Sequence, residues 1–206
     1  NNFAKDLVLI KKLGINIVIV HGGGVQISET LKKRKINSKF INGLRVTDKK
    51  TIKIVKKVLI ERINKKIVDL INNAGGKAIS LPGYKKGLIE VTPLKKEMGF
   101  VGKPKKIKKK IIKNILKKNY IPIIASLGFK GKKVFNINVD KEIDQFEADF
   151  ADVQGQENIN RLVLPSLQEC DVGGDKDNLK QRRPHHHRRR HAEKINHRRH
   201  HDKAAA

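Results

Sequence analysis

The chain has 206 residues, with 47 Lys and Arg against 20 Asp and Glu, which gives a formal net charge of +27. This length accommodates one α/β domain or two small ones, and no run approaches the ~18 consecutive apolar residues of a membrane-spanning helix. A single cysteine, Cys170, excludes a disulfide framework, a Cys-based zinc finger and a CxxC redox site.

Apolar periodicity predicts alternating helices and strands over the first 139 residues. In chain order we predict a helix over 3–13, a strand over 17–20, a helix over 26–35, a hairpin over 40–46, a long helix capped by Thr47 or Asp48 and running through Ile71, strands over 78–81 and 88–91, a helix over 108–118, and strands over 121–125 and 134–137. Because helices separate many of the strands, this order predicts an α/β fold with a mainly parallel sheet covered on both faces.

The excess of positive charge is confined to this part of the chain. Residues 1–139 carry 34 Lys and Arg against 7 Asp and Glu, whereas residues 140–206 carry 13 of each. The second segment is acidic over 140–179 and ends in an Arg- and His-rich stretch over 180–206. It has few apolar clusters, so we expect it to be unrelated to the first domain and largely disordered. Such a boundary is typical of a fusion or of a misread frame.

Three consecutive glycines, Gly22, Gly23 and Gly24, join the first predicted strand to the next helix. Glycine lets the backbone approach a ligand closely, and a helix N-terminus favours an anion, so the loop predicts a phosphate or carboxylate site. A tight strand-to-helix turn is the alternative, and the pattern is neither a P-loop nor GxGxxG. His21 precedes the loop and either supports it or contacts the ligand directly.

Arg45 is one of only three arginines among residues 1–139, where lysine otherwise supplies the positive charge. Its planar fork holds a carboxylate with two hydrogen bonds, which lysine cannot do; an ordinary surface cation is the alternative. Asn136, Asn138 and Asp140 alternate at the end of a predicted strand, which places them on one face. They are candidates for gripping a polar substrate and orienting cations or a metal, or they are turn residues that close the strand.

The lysine run over 105–110 predicts a solvated helix face and spacer, or alternatively a contact with a nucleic-acid backbone. Lysines are spread over the whole 1–139 segment, and the aromatic residues, 4% of the chain, do not interleave with them as stacking platforms would. Any nucleic-acid binding is therefore expected to be non-specific. The histidines between His185 and His201 offer loose Zn²⁺ or Ni²⁺ ligands, but we favour a disordered basic tail and predict no metal site.

Six stretches carry a family resemblance: FAKDLVLIKKLGINIVIVHGGG, INGLRVTD, NKKIVDLINNAGGKAI, GFVG, IPIIASLGF and FNINVD. Through them, residues 3–139 resemble the amino-terminal half of the acetylglutamate kinases, which belong to the amino-acid kinase family. The resemblance implies a three-layer αβα sandwich and a cytoplasmic enzyme that phosphorylates the γ-carboxylate of N-acetyl-L-glutamate, with ATP and Mg²⁺, in arginine biosynthesis. It also implies a homo-oligomer and no membrane partner.

The resemblance assigns roles to the residues already singled out. The Gly22–Gly24 loop matches backbone around the substrate and the transferring phosphoryl group. Arg45 matches the arginine that holds a substrate carboxylate, and Asn136 and Asn138 match asparagines near the acetamido end of the substrate. Asp140 matches the aspartate that organises the catalytic lysines.

In this family two lysines and Mg²⁺ stabilise the transferring phosphoryl group, one lysine on the first strand and the other in the carboxy-terminal ATP-binding lobe. This chain begins after that strand and departs from the family at 139–141, so we expect a truncated chain that is inactive alone. The alternatives are a non-specific basic nucleic-acid-binding protein and a non-functional chimera. Residues 149–158 weakly resemble the stretch before the Walker A loop of magnesium-chelatase-like AAA+ ATPases, but no Walker A sequence follows and we predict no nucleotide site there.

Overall fold

A computed structural model describes residues 2–151 and 159–164 of the chain. Its α-helices are α1 (Asn2–Lys12), α2 (Gly24–Lys33), α3 (Lys49–Lys57), α4 (Lys65–Asn73), α5 (Lys109–Lys117) and α6 (Ile143–Ala151). Its strands are β1 (Asn16–His21), β2 (Phe40–Ile41), β3 (Leu44–Arg45), β4 (Ala78–Ser80), β5 (Ile89–Pro93), β6 (Gly102–Ile107), β7 (Ile121–Ala125), β8 (Leu127–Lys130), β9 (Lys133–Asn136) and β10 (Ile159–Leu164). A π-helical segment, Val58–Asn64, connects α3 to α4.

The central sheet has the strand order β10-β1-β7-β4, and all of its pairings are parallel. A second sheet, β6-β5-β8-β9, combines antiparallel pairs with one parallel pair, and β2 and β3 form a separate antiparallel hairpin. The hairpin turn is Asn42-Gly43, with φ of 49° and 75°, the pair of left-handed residues that a type I′ turn requires. The predicted mainly parallel sheet is confirmed.

Alternate residues of β1 enter two different cores. Ile17 and Ile19 pack with buried residues of helices α1 to α4, whereas Val18 and Val20 pack with buried residues of α5 and with Phe146 of α6. This alternation follows from the two-residue period of a strand, and it explains why residues 17–20 of β1 are all apolar. Helices therefore cover both faces of the central sheet, and the predicted αβα sandwich is confirmed.

The long helix predicted through Ile71 is present, but its middle is π-helical. Of the two predicted caps, Asp48 is the one whose carboxylate accepts the N–H of Thr51, at 2.6 Å, and this bond lowers the pKa of Asp48. The π segment Val58–Asn64 inserts extra backbone into the helix and turns its last residues towards β1 and β7. No helix in the described ranges is long and apolar enough to cross a bilayer.

The lysine run over 105–110, which is predicted as a solvated helix face, begins in strand β6. Ile107 is buried, whereas Lys105 and Lys106 are exposed on this strand at the end of the second sheet, and Lys105 lies 4.0 Å from Glu90. Charged side chains on an outer strand oppose pairing with other molecules. Helix α5 takes over at Lys109, so the helical part of the prediction holds only for the end of the run.

Two elements lie in the segment that we expected to be largely disordered. Helix α6 buries Phe146 completely, and β10 pairs with β1 in parallel over six residues, from Asn16↔Ile159 to His21↔Leu164. Each element is short and isolated in a segment with few apolar clusters. The domain boundary at 139 stays a prediction, and Cys170, the histidines from His185 to His201 and residues 152–158 lie outside the described residues.

Candidate functional site

A pocket of about 170 Å³ opens at the carboxyl ends of β1 and β7, where open α/β sheets commonly bind ligands. Its walls include seven of the residues that the sequence singled out, but not His21: Gly22, Gly23, Gly24, Arg45, Asn136, Asn138 and Asp140. Leu59 and Ser126, which the sequence analysis did not select as site residues, also line it. The fold thus brings together residues that are up to 118 positions apart in the chain.

Gly23 and Gly24 differ in the space that is available for a side chain. A Cβ at Gly23 would lie 2.3 Å from Cδ1 of Ile63 and 2.9 Å from Cδ2 of Leu59, both in the π segment, whereas a Cβ at Gly24 would meet nothing within 4 Å. The carbonyl of Gly23 accepts the N–H of Ile27, which starts helix α2. A side chain at Gly23 would therefore force Ile63 or Leu59 to shift, whereas the choice between an anion site and a tight turn stays a prediction.

We predict that Gly23→Ala lowers the free energy of unfolding by about 1–3 kcal/mol, because the new methyl group overpacks against Ile63 and Leu59. Gly24→Ala is the matched control. It should change stability by less than about 1 kcal/mol, because its site is open and its backbone is not left-handed. Urea unfolding of both variants measures the difference. Equal effects of the two substitutions would contradict the packing assignment.

His21 lies beneath the glycine loop and is fully buried. Its Nδ1 is 3.0 Å from the carbonyl oxygen of Gly22, and its Nε2 is 3.0 Å from Nδ2 of Asn64. The same Nδ2 donates to the carbonyl of Ile123 at 2.8 Å. Burial lowers the pKa of His21 from 6.5 to about 4, so the imidazole is neutral at physiological pH. Of the two roles considered for His21, these contacts favour support of the loop.

Arg45 ends strand β3 and is only 7% exposed. Its Nη2 donates to the carbonyl of Gly24 at 3.0 Å and to Oγ of Ser28 at 2.7 Å, and its Nη1 donates to Oγ of Ser38. The guanidinium also stacks over the ring of Phe40, 4.6 Å from the centroid. Burial lowers the pKa of Arg45. No carboxylate of the described residues forms a salt bridge with it, so its charge is buried among neutral partners.

Asn136, Asn138 and Asp140 line the pocket from the segment that follows strand β9. Asn136 is the last residue of β9, and Oδ1 of Asn138 accepts the N–H of Lys141 at 2.9 Å in the turn that leads to α6. Asp140 is exposed at the rim. Nζ of Lys141 donates to the carbonyl of Asn42, which ties this turn to the β2–β3 hairpin. All three residues line the same pocket, while their placement on one face and their roles stay predictions.

Ser28 and Asn64 are site residues that the sequence analysis missed. Ser28 lies one helical turn after Gly24, and its Oγ donates to the Gly24 carbonyl at 2.9 Å as well as accepting from Arg45. Asn64 is a polar residue at an apolar position of an amphipathic helix, between Ile60 and Ile67. That break in the apolar pattern is the signal that marks Asn64 as a residue with a specific partner.

Comparison with known proteins shows the family. The model of the amino acid kinase family matches residues 1–142, so the chain belongs to this family. It is 39% identical over 180 residues to an acetylglutamate kinase of Ruegeria sp. (strain TM1040), covering 83% of this chain and 63% of that protein. It is 47% identical over 138 residues to an acetylglutamate kinase of Clostridioides difficile (strain 630), covering 66% and 48% respectively. The resemblance found in the sequence is confirmed.

Solved structures agree with the fold. smu.665 from Streptococcus mutans UA159 superposes with a TM-score of 0.64 at 32% identity, over 66% of this chain and 57% of that one. The N-acetylglutamate synthase of Neisseria gonorrhoeae superposes with a TM-score of 0.62 over 77% of this chain and 36% of that one, and its 18% identity shows the fold alone. This chain spans about half to 63% of the length of the acetylglutamate kinases described above.

Proposed function

We propose that the pocket binds N-acetyl-L-glutamate and that Arg45 holds one of its carboxylates. The buried guanidinium carries this proposal: its charge is desolvated, and the described residues around it offer only hydroxyls, a carbonyl and an aromatic ring. A buried charge without an opposite charge is costly, and an anionic ligand removes that cost. The acetylglutamate kinases similar to this chain support the choice of this dicarboxylate.

The other end of the substrate faces amides and the glycine loop. Asn136 and Asn138 line the same pocket as Arg45 and offer both donors and acceptors, which suits the acetamido group. The Gly22–Gly24 loop precedes helix α2, and the partial positive charge of the helix N-terminus suits an anionic phosphoryl group on the γ-carboxylate. The proposed reaction is ATP-dependent phosphorylation of that carboxylate, as a step of arginine biosynthesis.

The pocket offers partners for the substrate but few of the cations that phosphoryl transfer needs. Phosphoryl transfer needs cations on the equatorial oxygens of the transferring group. The pocket lining, which belongs entirely to the described residues, contains no lysine and a single carboxylate, Asp140. One exposed carboxylate does not make a Mg²⁺ site, and no group of three metal-binding side chains occurs elsewhere in the described ranges. We therefore propose that this chain binds the substrate but does not phosphorylate it alone.

Ligand titration of the isotopically labelled 206-residue chain tests the binding proposal. We expect millimolar N-acetyl-L-glutamate to shift the amide signals of Gly22, Gly23 and Gly24 and the guanidinium signals of Arg45. The diamide of the same compound is the matched control, because it keeps the shape and loses both negative charges. Absence of shifts with the acid, or equal shifts with the diamide, would refute the assignment of Arg45 to a carboxylate.

A further inference from the structure

A buried polar pair connects the glycine loop to the middle of the sheet. His21 and Asn64 are both 0% exposed, although they lie 43 positions apart in the chain. Oδ1 of Asn64 has no hydrogen-bond partner among the described residues. An apolar residue at this position would leave the buried Nε2 of His21 without a partner, so Asn64 acts here as a donor although its own oxygen stays unpaired.

The contacts of the pair define the tautomer of His21. The carbonyl of Ile123 is an acceptor only, so the atom of Asn64 that faces it at 2.8 Å is the amide nitrogen. The second hydrogen of that nitrogen then points to Nε2 of His21, which must be an unprotonated acceptor. The ring proton is therefore on Nδ1, where it donates to the carbonyl of Gly22. A protonated imidazole would place two donors against each other at Nε2.

The bond to Gly22 also sets the direction of the next amide. The peptide between Gly22 and Gly23 is trans, so its C=O and N–H point in opposite directions. With the carbonyl held against His21, the N–H of Gly23 points away from the imidazole, and Gly23 lines the pocket. We propose that Asn64 and His21 are positioning residues that fix the Gly22–Gly23 peptide with its N–H turned towards the anionic group of the ligand.

The π segment explains how Asn64 reaches this place. Asn64 is its last residue, and Ile63 and Leu59 of the same segment press against Gly23 from the side where a Cβ would lie. The segment thus contacts the loop twice, by packing at Gly23 and by hydrogen bonding through His21. Both contacts restrict the same peptide unit, as preorganised binding of an anion requires. This proposal rests on the proposed binding of N-acetyl-L-glutamate.

Asn64→Asp in the 206-residue chain tests the positioning role. The carboxylate has the same shape but no donor, so it favours a proton on Nε2 of His21 and frees the Gly22 carbonyl. We expect about tenfold or weaker binding of N-acetyl-L-glutamate, a shifted Gly23 amide signal, and a change in the ¹⁵N shifts of the imidazole. Asn72→Asp is the matched control. Asn72 also ties the helix to the sheet, through Ala78, but it does not contact the loop.

The unsubstituted chain provides a second measurement that needs no variant. We expect the Nδ1–H tautomer and a ¹⁵N–¹⁵N coupling across the hydrogen bond between Asn64 Nδ2 and His21 Nε2. An Nε2–H tautomer, an imidazolium or a missing coupling would overturn the proposal, and so would unchanged affinity in a folded Asn64→Asp chain. If the unsubstituted chain does not bind N-acetyl-L-glutamate, the proposed function fails, while the tautomer, the coupling and the Gly23 amide still decide whether the pair orients the peptide.

Discussion

Replacing Arg45 by methionine is expected to weaken binding of N-acetyl-L-glutamate by about 100-fold, because the substitution removes two charge-assisted hydrogen bonds in a desolvated pocket. Lysine at this position keeps the charge and loses the planar fork, so Arg45→Lys should bind about tenfold more weakly than the unsubstituted chain. Isothermal titration calorimetry of both variants with N-acetyl-L-glutamate measures the two changes in affinity.

Arg45→Met should leave the free energy of unfolding nearly unchanged, and this result would distinguish a binding role of Arg45 from a structural one. Arg45→Met removes a buried charge that has no carboxylate partner among the described residues, and the Gly24 carbonyl keeps its bond from Ser28. We expect the free energy of unfolding to change by less than about 1 kcal/mol. Arg62→Met is the control for charge, because Arg62 is exposed and lies 3.8 Å from Glu29. Weakened binding in the control, or a large loss of stability in Arg45→Met, would contradict the assignment.

The parts of the site that lie close together in sequence could be predicted from the sequence. The strand, the glycine loop and helix α2 form one local unit, and the apolar run before Gly22 marks where the sheet ends. Arg45 stood out because lysine supplies almost every other positive charge of the first 139 residues. Asn136 and Asn138 followed from the two-residue period of a strand. These signals placed seven residues that line one pocket.

Contacts between residues that are distant in the chain could not be predicted from the sequence. Nothing local in His21 indicates that its partner is Asn64, because that contact depends on where a long helix crosses the sheet. The π segment adds to this difficulty, since it shifts the helical register that apolar periodicity assumes. The seryl partners of Arg45 are equally hidden, because Ser28 and Ser38 belong to a helix and a loop that meet the guanidinium only in the folded chain.

Composition describes a whole segment and does not show which short stretches within it form a helix or a strand. The few apolar clusters of residues 140–206 predict a largely disordered segment, and within it the described residues form α6 and β10. Strand β10 needs only a short apolar stretch, because the adjacent edge of β1 supplies six paired positions. The charge of the lysine run over 105–110 predicts an exposed helix face. The structure instead places the start of the run in strand β6, where Ile107 faces inward and is buried. Charge describes the exposed face of an element, and the sparse apolar residues decide its structure.

Acidification is expected to destabilise the folded chain through His21. The folded chain keeps this imidazole neutral until pH falls to about 4, whereas the unfolded chain protonates it near the ordinary value of 6.5. Between these values the unfolded state binds more protons, so the free energy of unfolding decreases as pH falls. The contribution is complete above pH 6.5 and its loss amounts to about 3 kcal/mol by pH 4. Urea unfolding at several pH values in this window measures the slope.

His21→Gln isolates this contribution from every other titrating group. Glutamine stays neutral throughout, so the difference in unfolding free energy between the two chains should change steeply between pH 6.5 and 4 and be constant above that window. The stabilising contribution of Asp48 is also lost on acidification, because the cap bond lowers the pKa of its carboxylate. That loss is common to both chains and cancels in the difference between them. Parallel pH profiles for the two chains would show that His21 titrates alike in the folded and unfolded states, and would contradict the lowering of its pKa by burial.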